Sequence, residues 1–162
     1  MRISVKWEEC GKGGAWCNLS GIYLDSPSFT ENGRDVKGVY IIWSEKESRV
    51  VRVGSGELKI RIKDHQSEDW AKKDASLKVT FVQIDDENVM KGVETYLGYV
   101  YDPVEIGERY PNIRPVGVNL PKNGVFVNTY QHPQEGESDY ELKWSLFNTK
   151  YMEWAVSRGR EI

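Results

Sequence analysis

Cysteine and histidine are the scarcest chemically versatile residues here, with two of each in 162 residues. Cys10 and Cys17 are too few for a disulfide-stapled scaffold, and their spacing fits no common zinc pattern, which uses closely spaced pairs. They read as two small buried thiols in a reducing compartment rather than as a bridge. No apolar run approaches the ~18 residues that a membrane span needs. The first nine residues alternate in character and carry acid early, so a secretory leader is not expected. An excess of positive charge is also missing. Lysine and arginine number 22 against 25 aspartates and glutamates, a net charge of −3, which argues against strong non-specific attraction to nucleic acid. No internal repeat or low-complexity tract is present. What remains is 39% hydrophobic and 29% charged, a composition and length suited to one soluble, cytoplasmic domain with some decoration.

The charge that is present is uneven. Residues 49–63 hold five cations (Arg49, Arg52, Lys59, Arg61, Lys63) against one anion, Glu57. That leaves room for a local phosphate site despite the acidic total. The same stretch lies in the most patterned part of the chain. Residues 38–43 and 50–53 are β-rich and flank a polar turn, which predicts an antiparallel hairpin ended by Gly54-Ser55-Gly56. Residues 57–66 predict a helix with Leu58 and Ile62 on one face. Residues 77–84 predict a third strand. Asp85 or Asp86 can cap a helix that runs to about Asp102, before Pro103, with Val89, Val93, Leu97 and Val100 as its apolar stripe. The order β-β-α-β-α predicts a mixed α/β (α+β) fold, a small three-stranded antiparallel sheet with helices packed on it. Residues 1–37 read as an N-terminal extension containing a short strand at Ile3, Val5 and Trp7. Residues 122–162 read as a C-terminal extension packed on the same domain. It has a turn at 121–124, a strand at 125–130, a linker at 132–137 and a capping box at 138–141. A helix then carries a stripe of Tyr140, Trp144, Phe147, Tyr151 and Trp154. That stripe reads as packing on the domain or on a second subunit rather than as base stacking, because it lacks interleaved cations.

Within residues 38–121 several short motifs fall in order. Gly38-Val39-Tyr40 is a first triplet and Arg52-Val53-Gly54 a second. Arg61 is followed four residues later by His65. Glu94 stands inside a helical pattern, and Asn119 lies in Gly117-Val118-Asn119-Leu120-Pro121. In this ordered set the segment resembles the GIY-YIG nuclease family, over about half of the chain. A literal Gly21-Ile22-Tyr23 is set aside, because it lies too far ahead of Arg52 for the two to be hairpin partners. The resemblance implies a metal-dependent endonuclease acting on DNA, aided by a homodimer partner or a separate targeting protein. It assigns Glu94 to a Mg²⁺ or Mn²⁺ ion, Tyr40 to general-base work, Arg61 to the phosphate and Asn119 to hydrogen bonding, and it counts His65 and the residue at Arg52 among the catalytic set. It also marks a departure, since Arg52 stands where the family usually has tyrosine.

The chemistry of these residue types agrees. A single hard carboxylate with waters can hold Mg²⁺, and a guanidinium fork can neutralise a phosphate. A free phenol titrates near ~10, so Tyr40 needs nearby positive charge to act as a base near neutrality. Arg52 can lower that pKa or bind phosphate itself. If Arg52 abolishes hydrolysis, the chain is instead a nucleic-acid-binding module of the same fold. A third class, an enzyme on a small phosphate ester, would call for a narrow pocket. The nuclease reading expects Tyr40, Arg61, Glu94 and Asn119 on one concave surface, and Glu94 on the sheet face opposite Tyr40 would rule the catalytic reading out. Two hairpin registers are considered, Tyr40 opposite Arg52 or opposite Val53. The first keeps Arg52 on Tyr40's face and puts Val51 and Val53 with Val39 and Ile41.

Overall fold

The computed structural model describes residues 2–10, 15–101, 103–104, 113–121 and 153. Of the expected C-terminal features, only Pro121 of the turn at 121–124 and Glu153 of the aromatic helix are among the described residues; the strand at 125–130, the linker at 132–137 and the capping box at 138–141 lie outside them. The elements in chain order are β1 (Arg2–Ile3), β2 (Cys17–Asn18), a 3₁₀ turn (Pro27–Phe29), β3 (Thr30–Glu31), β4 (Arg34–Asp35), β5 (Lys37–Ser44) and β6 (Arg49–Glu57). They continue with α1 (Leu58–Gln66), α2 (Asp69–Lys72), β7 (Leu77–Gln83), α3 (Glu87–Tyr101) and β8 (Gly117–Val118). The fold is mixed α/β. No described helix is long and apolar enough to cross a membrane.

The main sheet is antiparallel and has the order β2-β7-β5-β6. The expected three-stranded core is there as β7, β5 and β6, and β2 adds a fourth strand from the N-terminal segment. The β5–β6 hairpin turns where Ser48 takes a positive φ of 52°. Ser44, fully buried at the end of β5, accepts the Glu47 N–H at 3.1 Å and donates to Asp74 at 2.5 Å. This ties the turn to the loop before β7. At the other end β6 does not stop at Gly54. It pairs through Gly56 and Glu57 with Gly38 and Lys37, so the Gly-Ser-Gly stretch is strand rather than link. Asp86 caps α3, its carboxylate accepting the Val89 N–H at 3.0 Å, as expected of a short acidic side chain there.

Period-2 alternation sorts the sheet into two cores. Val39, Ile41, Trp43, Val50 and Val53 face α3 and pack on Met90, Val93, Leu97 and Val100. Tyr40, Ile42 and Val51 face the other way and pack with Leu58 and Ile62 of α1. Val51 therefore leaves the face predicted for it. A register shift between Ile42 and Trp43 sets Ile42 opposite Arg52 but Trp43 opposite Val50, so Val51 is the extra residue of a β-bulge.

The N-terminal segment is part of both cores. Trp7 is buried in the first, and Cys17, Leu19, Phe29 and Val36 in the second. The cysteines correct the sequence expectation, since Cys10 and Cys17 form a disulfide with a Cα separation of 4.8 Å. Of the expected strand at Ile3, Val5 and Trp7, only Arg2–Ile3 is strand, paired parallel with β8. Val5 and Trp7 are instead held by Asn119.

Candidate functional site

Two glycines make the site's geometry. A Cβ on Gly38 would fall 1.9 Å from the Val82 carbonyl oxygen, so β5 and β7 come together only because none is there. A Cβ on Gly54 would fall 2.1 Å from the Tyr40 hydroxyl. Tyr40 and Gly54 are cross-strand partners, so the phenol lies flat across β6 and carries its oxygen toward the sheet's edge strand. Each triplet of the sequence thus contains a glycine with a stated steric purpose.

The phenol ends on a polar chain. Tyr40 Oη is 2.5 Å from His65 Nε2, His65 Nδ1 is 2.7 Å from Glu68 Oε1, and Trp70 Nε1 donates to Glu68 Oε2 at 2.5 Å. Tyr40 is 1% exposed and His65 6%. Burial pushes the His65 imidazole below its ordinary value, with the Arg52 and Arg61 charges adding to that, while Glu68 pulls it up. Burial alone would raise the Glu68 carboxyl, but hydrogen bonds from Trp70 and His65 hold it below its ordinary value. An ionised carboxylate only accepts, so Glu68 can take a hydrogen bond from a protonated Nδ1 of His65. In that tautomer a neutral imidazole has a bare Nε2, which can accept the Tyr40 O–H.

Arg52 sits on the Tyr40 face, because Ile42 pairs with Arg52 and Tyr40 with Gly54. Neither register considered from the sequence is the one found, yet the same-face outcome holds because the offset is even. Burial pushes the Tyr40 phenol up to about 12, Arg52 and Arg61 pull it down, and Glu94 pushes it up. The expected lowering by Arg52 is therefore real but outweighed. Arg61, half-buried on α1, folds back over Gly56, where a Cβ would lie 3.1 Å from its Nε.

The remaining two residues stand differently from the expectation. α3 packs on the sheet face opposite Tyr40, so Glu94 does not share one sheet face with the phenol. This corrects the single-surface expectation and, by the test set from the sequence, counts against Glu94 and Tyr40 acting as one catalytic site. The carboxylate is nonetheless brought to the edge strand, where Ser55 donates to its Oε2 at 2.5 Å, and its charge is felt at the Tyr40 oxygen. The polar groups gather around the last residues of β6, Gly54 to Gly56, from both sides. Asn119 is not hydrogen-bonded to this group. Its Oδ1 accepts from Val5 N at 2.7 Å, its Nδ2 donates to Val5 O at 2.9 Å, and its carbonyl accepts from Trp7 Nε1. It fastens the N-terminal segment beside β8.

Sequence reasoning overlooked Ser55, Glu68 and Trp70. Ser55 was hidden in what read as a turn. Glu68 is three residues beyond His65, a helical spacing that could have been noticed. Among the described residues, no group of three or more His, Cys, Asp or Glu side chains could hold a metal. The donors that gather fit a hard cation held by one carboxylate and waters, with Glu94 as ligand and Ser55 orienting it, and do not fit an all-protein cage. Compared with known proteins, the chain matches no family model, no curated protein and no solved structure.

Proposed function

We propose that this protein is a metal-dependent endonuclease that hydrolyses phosphodiesters in DNA, using the Tyr40 group at the end of β6. The observation that carries this is the Tyr40–His65–Glu68 chain, flanked by the Arg52 and Arg61 charges and within reach of the Glu94 charge. The resemblance of residues 38–121 to the GIY-YIG pattern supports it, as do the steric demands at Gly38 and Gly54.

The chemistry follows from the proton positions. A phenol held near 12 does not ionise to solvent at neutral pH. It serves as a base by passing its own proton to His65 Nε2 while taking one from water. The water oxygen attacks phosphorus, the bond to the leaving ester oxygen breaks with its electron pair, that oxygen takes a proton from solvent water, and the imidazolium is stabilised by Glu68. Arg52 and Arg61 offset the charge gathering on the phosphate oxygens. A Mg²⁺ or Mn²⁺ ion, when bound at Glu94, would supply further charge neutralisation there.

A second reading, a nucleic-acid-binding module without hydrolysis, is favoured by the placement of α3, which brings Glu94 to the sheet from the face opposite Tyr40, and by the burial of the site. Tyr40, His65 and Glu94 are 1%, 6% and 7% exposed, whereas Arg52 and Arg61 are half-buried. Nicking of supercoiled plasmid with Mg²⁺ or Mn²⁺ separates the two. The nuclease reading expects nicking by wild type, and loss of at least about a hundredfold in both Tyr40→Phe and Glu94→Gln. Folded wild-type protein that leaves plasmid intact in both metals, yet binds it in a salt-sensitive way, would sink the nuclease reading in favour of the binder.

A further inference from the structure

Glu68 is assigned no role by the nuclease pattern, yet it makes the second link of the polar chain. We infer that Glu68, steadied by Trp70, is a positioning residue that fixes the His65 tautomer and so makes Nε2 the proton acceptor for Tyr40. Only the activity consequence rests on the nuclease reading.

The groups facing His65 come from every element around it. They are Tyr40 of β5, Arg52 of β6, Arg61 of its own helix, Glu68 before α2, and the Trp70 ring of α2 at 5.7 Å and 45°. Two of these are cations, and neither can accept a proton from Nδ1. Tyr40 lies at Nε2, so Glu68 is the acceptor that the chain provides at Nδ1. Its second oxygen takes the Trp70 N–H, so the carboxylate is gripped at both oxygens despite being 44% exposed. Had Nε2 carried the proton, imidazole and phenol would meet as two donors unless the phenol proton turned away. The arrangement is that of a nucleophile or base, an imidazole and an orienting carboxylate, with tyrosine in the first place.

Nitrogen-15 NMR of the imidazole reads this directly, and it works without DNA or metal. The only other histidine is His132, so a His132→Gln background isolates the signal. The expected wild-type result is a proton on Nδ1 and an unprotonated Nε2. Glu68→Ala should move proton population to Nε2. Glu68→Gln, whose single oxygen must serve either His65 or Trp70, should fall between. Because Glu68 is at the surface, these variants should melt close to wild type, and that is measured alongside. In the plasmid assay Glu68→Ala should nick about 10- to 100-fold more slowly, the usual cost of losing an orienting partner. A wild-type proton on Nε2, or the same tautomer ratio in Glu68→Ala as in wild type, would overturn the inference. A tautomer shift in a protein that never nicks would uphold the positioning role and remove the nuclease reading instead.

Discussion

Tyr40 is a buried acid whose neutral form is favoured, and that has a measurable sign. Its folded pKa is about 12, above the ordinary 10.0, with burial the largest cause. Between those values the unfolded chain gives up a proton that the folded chain keeps. The contribution is therefore whole below pH ~10 and is lost as pH rises through about 12. Tyr40→Phe should escape that loss. Between pH 9 and pH 11 the unfolding free energy from urea titration should fall further for wild type than for Tyr40→Phe, by about 1 kcal/mol. Equal falls would mean that Tyr40 ionises as easily folded as unfolded. Arg52 is the counterweight, since its charge is the strongest influence pulling the phenol down. Arg52→Ala should push the Tyr40 pKa higher still. If the protein nicks DNA, that substitution should slow it and move its pH optimum upward. Cleavage unchanged in rate and pH profile would show that Arg52 has no part in setting the base.

At the scale of elements, the β5–β6 hairpin was legible because its signals are local. Two β-rich runs flank a polar turn, and the helix with Leu58 and Ile62 follows directly. The capped α3 was legible for the same reason. The bulge at Val51 was not, because it depends on which turn closes the hairpin and not on residue type. The placement of Glu94 was also hidden. A helical stripe tells which side of α3 is buried but not which face of the sheet receives it. The Glu68 link needs the turn between α1 and α2, which no periodicity announces. The two motif glycines, by contrast, can be given unequal weights. A Cβ at Gly38 meets backbone, the Val82 carbonyl, which cannot move without separating β5 from β7. A Cβ at Gly54 meets the far end of the Tyr40 side chain. Gly38→Ala should cost ~3 kcal/mol or more and Gly54→Ala ~1–2 kcal/mol, with Tyr40 displaced from His65 in the latter. Chemical denaturation measures the first difference and the His65 NMR signal the second. A Gly54→Ala protein with an unchanged His65 signal would show that the phenol does not depend on that gap.

For the molecule as a whole, the division of the chain into an extension and a domain meets a core that spans both. Trp7, Cys17, Leu19, Phe29 and Val36 are all 5% exposed or less, and they pack among residues of 38–121. The sequence concealed this because residues 1–37 have little periodic structure. Their apolar side chains are set by loops, by the Cys10–Cys17 disulfide and by the grip of Asn119 on Val5. Burying side chains of this size contributes roughly 1.5–3 kcal/mol each, so about 10 kcal/mol in gross terms for the five. Ordering the segment offsets part of that gain. Removing residues 1–37 has a second consequence, because it uncovers what they pack on. Val79 and Phe81 lose their cover, and β7 loses β2 and becomes an open edge beside a bare apolar face. Against a total stability of ~5–15 kcal/mol for an ordinary domain, that combination is decisive. A chain beginning at Gly38 should lack a cooperative thermal transition, lose its near-ultraviolet dichroism and bind a hydrophobic dye, although its β5–β6 hairpin sequence is intact. A sharp, reversible melt with native-like dichroism from that fragment would show instead that residues 38–162 fold unaided and that the first 37 residues are an accessory.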